Sequence, residues 1–195
     1  MSRTILREIK VTTEPAAEPV LKATLKNYLK LGSDTTDDTL IESLIKSARI
    51  EAERWCNRAF LDQTIKIWCS AFGDKVELPR APIQSITSVK TKYLNTLTTL
   101  TENTDFYVHG YDEKYLLMAT PFRLPVGHSP YDNIDDYGLE VIYVAGYGSA
   151  ATSVPEPIII AIQKIAMFNY LNRQNENMII PVEAKKLLST YKIYQ

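Results

Sequence analysis

The feature that most constrains this chain is a change in the spacing of its apolar residues along the sequence. They recur every three or four positions from residue 19 to 57, alternate with polar residues from about 61 to 150, and return to helical spacing from residue 157. A period of 3.6 predicts amphipathic helices, and a period of 2 predicts strands. The sequence therefore predicts an α+β fold in which an antiparallel β region is inserted into a small helical bundle.

Two helices are predicted before the β region. Pro19 suits the first turn of a helix that runs to Leu31, and Gly32 is placed to end it. The second helix, about Asp37 to Asn57, begins with acidic residues, which favour a helix N-terminus. One continuous apolar stripe then follows: Leu40, Ile41, Leu44, Ile45, Ala48, Ala52, Trp55 and Cys56.

Two further helices are predicted after the β region. Pro155 and Pro157 open one that runs to about Arg173 and is apolar on more than one side. Pro181 introduces a short last helix that ends near Tyr191. We expect the helices at 19–57 and 157–191 to share one core.

The intervening residues, about 61–150, are predicted to form several short strands. The last of them ends in Gly146-Tyr147-Gly148, which suits a sharp turn, and a long loop spans residues 121–137 before it. Residues 1–18 show no clear period and are predicted to be an N-terminal arm, outside the core and ordered only against a neighbour. The main domain is thus expected to span 19–195.

Composition and charge exclude several classes of protein. The chain has 195 residues, of which 45% are hydrophobic and 23% charged, as in ordinary globular proteins. The net charge is -1, with -4 in residues 61–150, and the pI is about 6.2. A basic stripe typical of sequence-specific DNA binding is missing. No apolar run approaches the roughly 20 residues that span a bilayer, and no signal peptide is evident, so we expect a soluble chain.

The sequence predicts no catalytic, cofactor or metal site. Cys56, Cys69, His109 and His128 match none of the usual zinc spacings, and the cysteines are expected to be buried, reduced thiols. A Gly-x-Ser-x-Gly elbow and a phosphate-binding loop are both absent. The twelve tyrosines favour contact with other proteins, because tyrosine is enriched at interfaces.

The order of several segments resembles one family, the head-tail connector (adaptor or head-completion) proteins of tailed bacteriophages and prophages. No single segment is specific, and it is their joint order that carries the resemblance, over roughly residues 19–191. The matching segments are Leu25–Leu31, Asp37–Arg49, Ala52–Phe60, Val76–Val89, Val141–Gly148 and Val154–Ile158.

This resemblance implies a structural, non-enzymatic virion protein of the neck, made in the cytoplasm of a bacterial host. It implies a homo-oligomeric ring, dodecameric in this family, that binds the portal protein and docks the next neck or tail component. The ring would extend the channel for DNA ejection, and DNA would pass through it without specific binding.

Two sets of candidate site residues follow. The segment 181–195 is short, basic and tyrosine-bearing, and we expect Lys185, Lys186, Tyr191 and Tyr194 to dock on the portal. The acids Asp132, Asp135 and Asp136 lack the spacing of a calcium-binding loop, and we expect them at the lumen or rim of the ring, where they would repel DNA.

Two alternatives remain open at this point. One is a small hydrolase-type enzyme that uses His109 or His128 with the acids of the 121–137 loop. The other is a generic protein-binding module that acts as a monomer or dimer.

Overall fold

The structure is a computed structural model, and it describes residues 4–71, 73–93, 96–120, 137–174 and 179–194. The chain forms two compact units. The first, here the β unit, comprises Met1–Glu14 and Gln63–Gly146; the second, here the helical unit, comprises Pro15–Asp62 and Tyr147–Gln195. The predicted α+β fold class is confirmed, since helices and antiparallel sheets both contribute.

The helical unit contains the predicted helices in slightly shorter form. Both helices of the first pair end in a residue with left-handed backbone, Lys30 at φ 58° and Asn57 at φ 56°. Asparagine tolerates this conformation, which closes a helix by turning the chain away. The bounds are α1 (Lys22–Leu29), α2 (Asp38–Cys56), α3 (Glu156–Leu171) and α4 (Val182–Leu188), with short 3-10 turns at Ala151–Ser153 and Ser189–Tyr191.

One hydrophobic core joins all four helices, as predicted. Five residues of the α2 stripe are buried, and Leu40, Leu44 and Trp55 pack against the core partly buried, while α3 buries one broad face that runs from Ile158 to Tyr170. Helix α1 contributes Leu25 to this core, and α4 contributes Ala184 and Leu188. From α2 and α3 the core takes Ile41, Ile45, Ala48, Ala52, Cys56, Ile158, Ala161, Ile162, Ile165 and Ala166.

The β unit contains two antiparallel sheets. A five-stranded sheet has the order β1-β2-β8-β4-β5, and a three-stranded sheet has the order β3-β7-β6. The strands are β1 (Ile5–Thr13), β2 (Gln63–Ala71), β3 (Lys75–Glu77), β4 (Ile83–Tyr93), β5 (Thr96–Thr99), β6 (Phe106–His109), β7 (Tyr115–Met118) and β8 (Tyr137–Ala145).

The N-terminal residues differ from the prediction. Residues 5–13, expected in an arm that orders only against a neighbour, form β1 and pair antiparallel with β2 of the same chain. The pairing register shifts between Ile5 and Leu6, between Leu6 and Glu8, and between Val11 and Thr13. An irregular strand of this kind loses the strict alternation that sequence analysis detects.

Strand β8 lies at the centre of the larger sheet and is half buried in strict alternation. Leu139, Val141, Tyr143 and Ala145 are fully buried, and the hydroxyl of Tyr143 donates to the carbonyl oxygen of Pro79 at 2.7 Å. The predicted turn follows at Gly146. Gly148 has φ 148° and lies so close to Ser153 that an added Cβ would meet its Oγ at 2.6 Å, so a larger residue would strain this turn.

Both cysteines are fully buried, one in each unit, and neither forms a disulfide. Burial raises the pKa of the Cys56 thiol and of the Cys69 thiol to about 12, because the thiolate would lose its hydration. Cys56 belongs to the helical core and Cys69 to the covered face of β2.

The first prediction tests the shared helical core with two isoleucines of α3. Ile162→Ala removes a side chain with no exposure, and we expect it to lower the free energy of unfolding by about 2–5 kcal/mol. Ile160→Ala, at a site that is 36% exposed on the same helix, should cost much less. Urea unfolding measures both, and equal effects would contradict the packing described.

The second prediction concerns the thiols. Because the thiolate is the reactive species, neither Cys56 nor Cys69 should react with a thiol reagent in the folded protein at pH 8. Both should react at once in urea. In the unfolded chain the thiol pKa returns to about 8.5, so raising the pH through 9 ionises only the unfolded state and should lower stability. Rapid labelling of the folded protein would refute the burial.

Candidate functional site

The predicted portal-docking residues lie on α4 and the turn after it. Ala184 and Leu188 face the helical core, whereas Lys185 and Lys186 are exposed on the same helix. This is the arrangement that the helical period dictates, since residues next to the buried pair must point away from it. The two ammonium groups are therefore presented on a rigid helix.

The residues after α4 are tied to the end of α2 rather than left as a loose tail. The carbonyl oxygen of Tyr191 accepts from Nε of Arg58 at 2.5 Å, and the N–H of Ile193 donates to the carbonyl oxygen of Cys56 at 2.9 Å. Nζ of Lys192 lies 4.4 Å from the centre of the Trp55 ring, a cation–π contact. The described residues after α4 are therefore held against the C-terminal end of α2.

The four predicted docking residues do not have equal access to a partner. Tyr194 is 80% exposed, and both lysines are exposed, but Tyr191 is partly buried and packs against the helical core. A partner could contact the two ammonium groups and the Tyr194 phenol. The role of Tyr191 is to hold the segment.

The predicted lumen acids cannot be placed in the same way. Asp132, Asp135 and Asp136 lie outside the described residues, as do His128 and the rest of the predicted loop up to residue 136.

A charged cluster that the sequence analysis missed connects the C-terminal half of α2 with the chain before α1. Arg49 and Glu53 lie within the core region at only 2% exposure each. Nε of Arg49 donates to Glu18 Oε2 at 2.7 Å, and its Nη1 donates to Glu53 Oε2 at 2.9 Å. The other Glu53 oxygen accepts from the N–H of Phe60 at 2.8 Å. The sequence signal was an Arg/Glu pair four residues apart beside an apolar stripe.

Arg49, Glu18 and Glu53 form a largely buried ion group in which each side chain is hydrogen-bonded. Desolvation lowers the pKa of Arg49, but the hydrogen bonds and charges of Glu18 and Glu53 outweigh it and raise that pKa. Two carboxylates share the single guanidinium of Arg49, and the burial is tolerated because every charged group in the cluster is hydrogen-bonded. The cluster positions the chain on either side of α2 and has no free group for chemistry.

A second cluster surrounds the first turn of α2. Nζ of Lys26 donates to Asp38 Oδ1 at 2.7 Å and to the carbonyl oxygen of Asp34, while Lys22 pairs with Asp38 at 3.0 Å. The hydrogen bonds from Lys26 and Lys22 lower the pKa of Asp38. The carboxylate also favours the positive end of the helix, so the cluster fixes α1 against the start of α2.

The described candidates for metal binding, Cys56, Cys69 and His109, do not form a ligand group. Among the described residues there is no group of three or more His, Cys, Asp or Glu side chains able to hold a metal ion. His109 is exposed on β6 and stacks on Tyr115 with ring centres 5.8 Å apart.

The described strands form one shallow groove on the outer face of the five-stranded sheet. It has a volume of about 250 Å3. Two of its charged groups, Lys66 and Glu140, already pair with each other across β2 and β8. Its lining comprises Glu8, Lys66, Trp68, Lys92, Leu97 and Glu140.

No helix in the described part of the chain is long and apolar enough to cross a membrane.

Comparison with known proteins gives a family and a fold. Residues 23–110 match the model of the phage gp6-like head-tail connector protein family. No match was found among curated proteins. Among solved structures, a chain from the neck of an empty gene transfer agent (GTA) particle computed with C6 symmetry superimposes with a TM-score of 0.77 at 16% identity, and 97% of each chain is covered.

Two further solved chains agree with the first. One, from the virion of the native GTA particle, has a TM-score of 0.75 at 16% identity, and the other, from the native neck computed with C12 symmetry, has a TM-score of 0.69 at 15% identity. Each comparison covers 97% of both chains, so the fold extends over both units. The resemblance inferred from the sequence is thus confirmed: over residues 23–110 this chain is similar to the phage gp6-like head-tail connector proteins.

Proposed function

We propose that this chain is a structural subunit of a virion neck, a head-tail connector that joins the portal to the next neck or tail component. The observation that carries the proposal is the match of residues 23–110 to the gp6-like connector family. The whole-length similarity of fold to chains of GTA necks supports it.

A connector acts as a closed ring of identical copies around the DNA path. The two neck structures that this chain resembles were computed with C6 and C12 symmetry, which fits rings of that kind. Identical copies form a ring when each contributes two different surfaces that match head to tail and the rotation between neighbours closes. We propose a dodecamer, with DNA passing through its centre.

The proposed role is mechanical rather than catalytic. The hydrolase alternative depends on His109 or His128, and the described one of these is an exposed imidazole stacked on a tyrosine. A general base needs a nucleophile within hydrogen-bonding reach, and none lies within reach of His109 among the described residues. The binding-module alternative differs from the connector in its assembly, which the portal test below addresses.

The portal-facing surface is proposed to include Lys185, Lys186 and Tyr194. These residues are exposed on a helix and turn that are themselves anchored to α2. A rigid surface loses little conformational entropy when it binds, which favours attachment. An acidic region of the portal protein is the partner that two adjacent lysines would recognise.

The third prediction tests this surface by charge reversal. Removing residues from Pro181 onward would also remove Ala184 and Leu188 from the core, so point variants are the sharper test. Lys185→Glu/Lys186→Glu should weaken attachment to purified portal rings by about tenfold or more, since the contact becomes repulsive. Binding is measured by sedimentation with the portal.

The matched control is Lys30→Glu/Lys46→Glu, which changes the net charge equally at two exposed lysines of the other helix pair. It should bind the portal as the wild type does, and both double variants should keep the wild-type melting temperature. Undiminished binding by Lys185→Glu/Lys186→Glu would contradict the proposed surface.

The fourth prediction concerns DNA. A ring that lets DNA pass must not hold its phosphates, and the net charge of this chain is -1. The assembled protein should not retard duplex DNA in a mobility-shift assay at physiological salt. If Asp132, Asp135 and Asp136 line the lumen or rim, replacing all three by lysine should create salt-sensitive retention. Submicromolar binding by the wild type would overturn this proposal.

A further inference from the structure

The five-stranded sheet carries a row of partly exposed apolar side chains on its outermost strand. Leu6, Ile9 and Val11 of β1 are 41%, 41% and 37% exposed. In the sheet register they stand directly opposite three residues of β2 that have no exposure: Cys69, Ile67 and Ile65. Directly opposed residues share one face of a sheet. The apolar face that is buried on β2 therefore continues onto β1, where its side chains are partly exposed.

The second feature of β1 is the edge of its backbone. β1 is the first strand in the order of its sheet, so one of its edges pairs with β2 and its other edge pairs with no described strand. Natural edge strands are commonly protected by an inward-pointing charge, by proline, by shortness or by bulges. β1 has nine residues and no proline, its bulges lie toward its two ends, and Leu6, Ile9 and Val11 stand on its inward face. Of its charged residues, Glu8 and Lys10 stand opposite Trp68 and Lys66, on the outer face, and Arg7 lies at the register shift between Leu6 and Glu8.

We propose, on the basis of the connector function proposed above, that β1 is an intersubunit edge of the ring and pairs with β5 of the neighbouring copy. Among the described strands the sheet has two edge strands that differ from each other, β1 and β5. Pairing between them is a head-to-tail contact that leaves one edge of each kind free for the next copy, which is the kind of contact that a closed ring of identical copies requires. Pairing of β1 with β1 would stop at a dimer.

The two edges match in length and chemistry. The register of β1 is regular from Glu8 to Val11, between two irregular ends, and β5 is four residues long. β5 reads Thr-Leu-Thr-Thr and holds no charge that would oppose Glu8 or Lys10. Thr98 pairs with Thr91 of β4, on the face opposite to Leu97 and Lys92, so β5 offers threonine methyl groups toward the apolar row.

The test uses the full chain and blocks one edge at a time with an inward-facing lysine. Ile9→Lys blocks β1, and Thr98→Lys blocks β5. The matched control is Thr13→Lys, which adds the same charge to β1 opposite Thr64, outside the apolar row. Assembly is followed by sedimentation velocity from micromolar concentrations to the highest soluble concentration.

We expect the wild type and Thr13→Lys to assemble beyond dimers at the same concentration. Ile9→Lys and Thr98→Lys should each need at least about tenfold more protein, because a lysine would be buried without a partner. A mixture of the two blocked variants should form dimers and nothing larger, since each brings one intact edge. The melting temperature of each monomer should be unchanged.

The proposal is overturned if Ile9→Lys assembles like the wild type, if Thr98→Lys does so, or if the wild type stops at a dimer or stays monomeric throughout. Failure of this inference is distinct from failure of the connector function. Wild-type attachment to the portal, measured as above, would persist in the first case and be lost in the second.

Discussion

The rest of the structure depends on the antiparallel pairing of β2 with β8. These strands are the first and last of the β insert, and their register places Gln63 opposite Ala145. The chain therefore leaves the helical unit and returns to it at neighbouring points, where the N–H of Asp62 donates to the carbonyl oxygen of Gly148 at 3.1 Å. Closing the insert in this way lets helices far apart in sequence share one core, because the loop-closure entropy is offset within the sheet.

Within the helical unit, the buried ion group of Arg49 also holds separate segments of the chain together, in this case by charge. Its two carboxylates come from before α1 and from α2 itself, and the second of them also binds the N–H of Phe60. Apolar packing is tolerant of small shifts, whereas a buried charge demands specific partners at specific distances. The group therefore fixes two segments against α2, the chain before α1 and the residues that follow α2.

These constraints explain why the exposed residues of α4 and β1 indicate where partners bind. Because the helices share one core and the insert is closed, few of the described helices and strands leave an apolar face or a strand edge without a partner. The lysines of α4 are fixed outward by the burial of Ala184 and Leu188. The open row on β1 stands out for the same reason, since the residues opposite it on β2 are completely covered.

The sequence by itself determined the helices, most strands and the fold class, because these follow from local periodicity and from proline and glycine positions. The stripe of α2 and the turn at Gly146 to Gly148 were both predictable on that basis. The order of segments also determined the resemblance to connector proteins, which the family match over residues 23–110 confirmed. Of the candidate docking residues, the sequence indicated Tyr191 and Tyr194 equally.

Only the tertiary structure decided which of those two rings is available, because the answer depends on the hydrogen bonds of Tyr191 and Ile193 with residues about 135 positions earlier. The pairing of β1 was also hidden, since its bulges break the alternation and its partner lies more than fifty residues away. The contact of Arg49 with Glu18, 31 positions earlier, was hidden because it joins distant segments, although the pairing of Arg49 with Glu53 is local. Local pattern records which face of an element is apolar, but a contact between distant segments is specified only when the whole chain has folded.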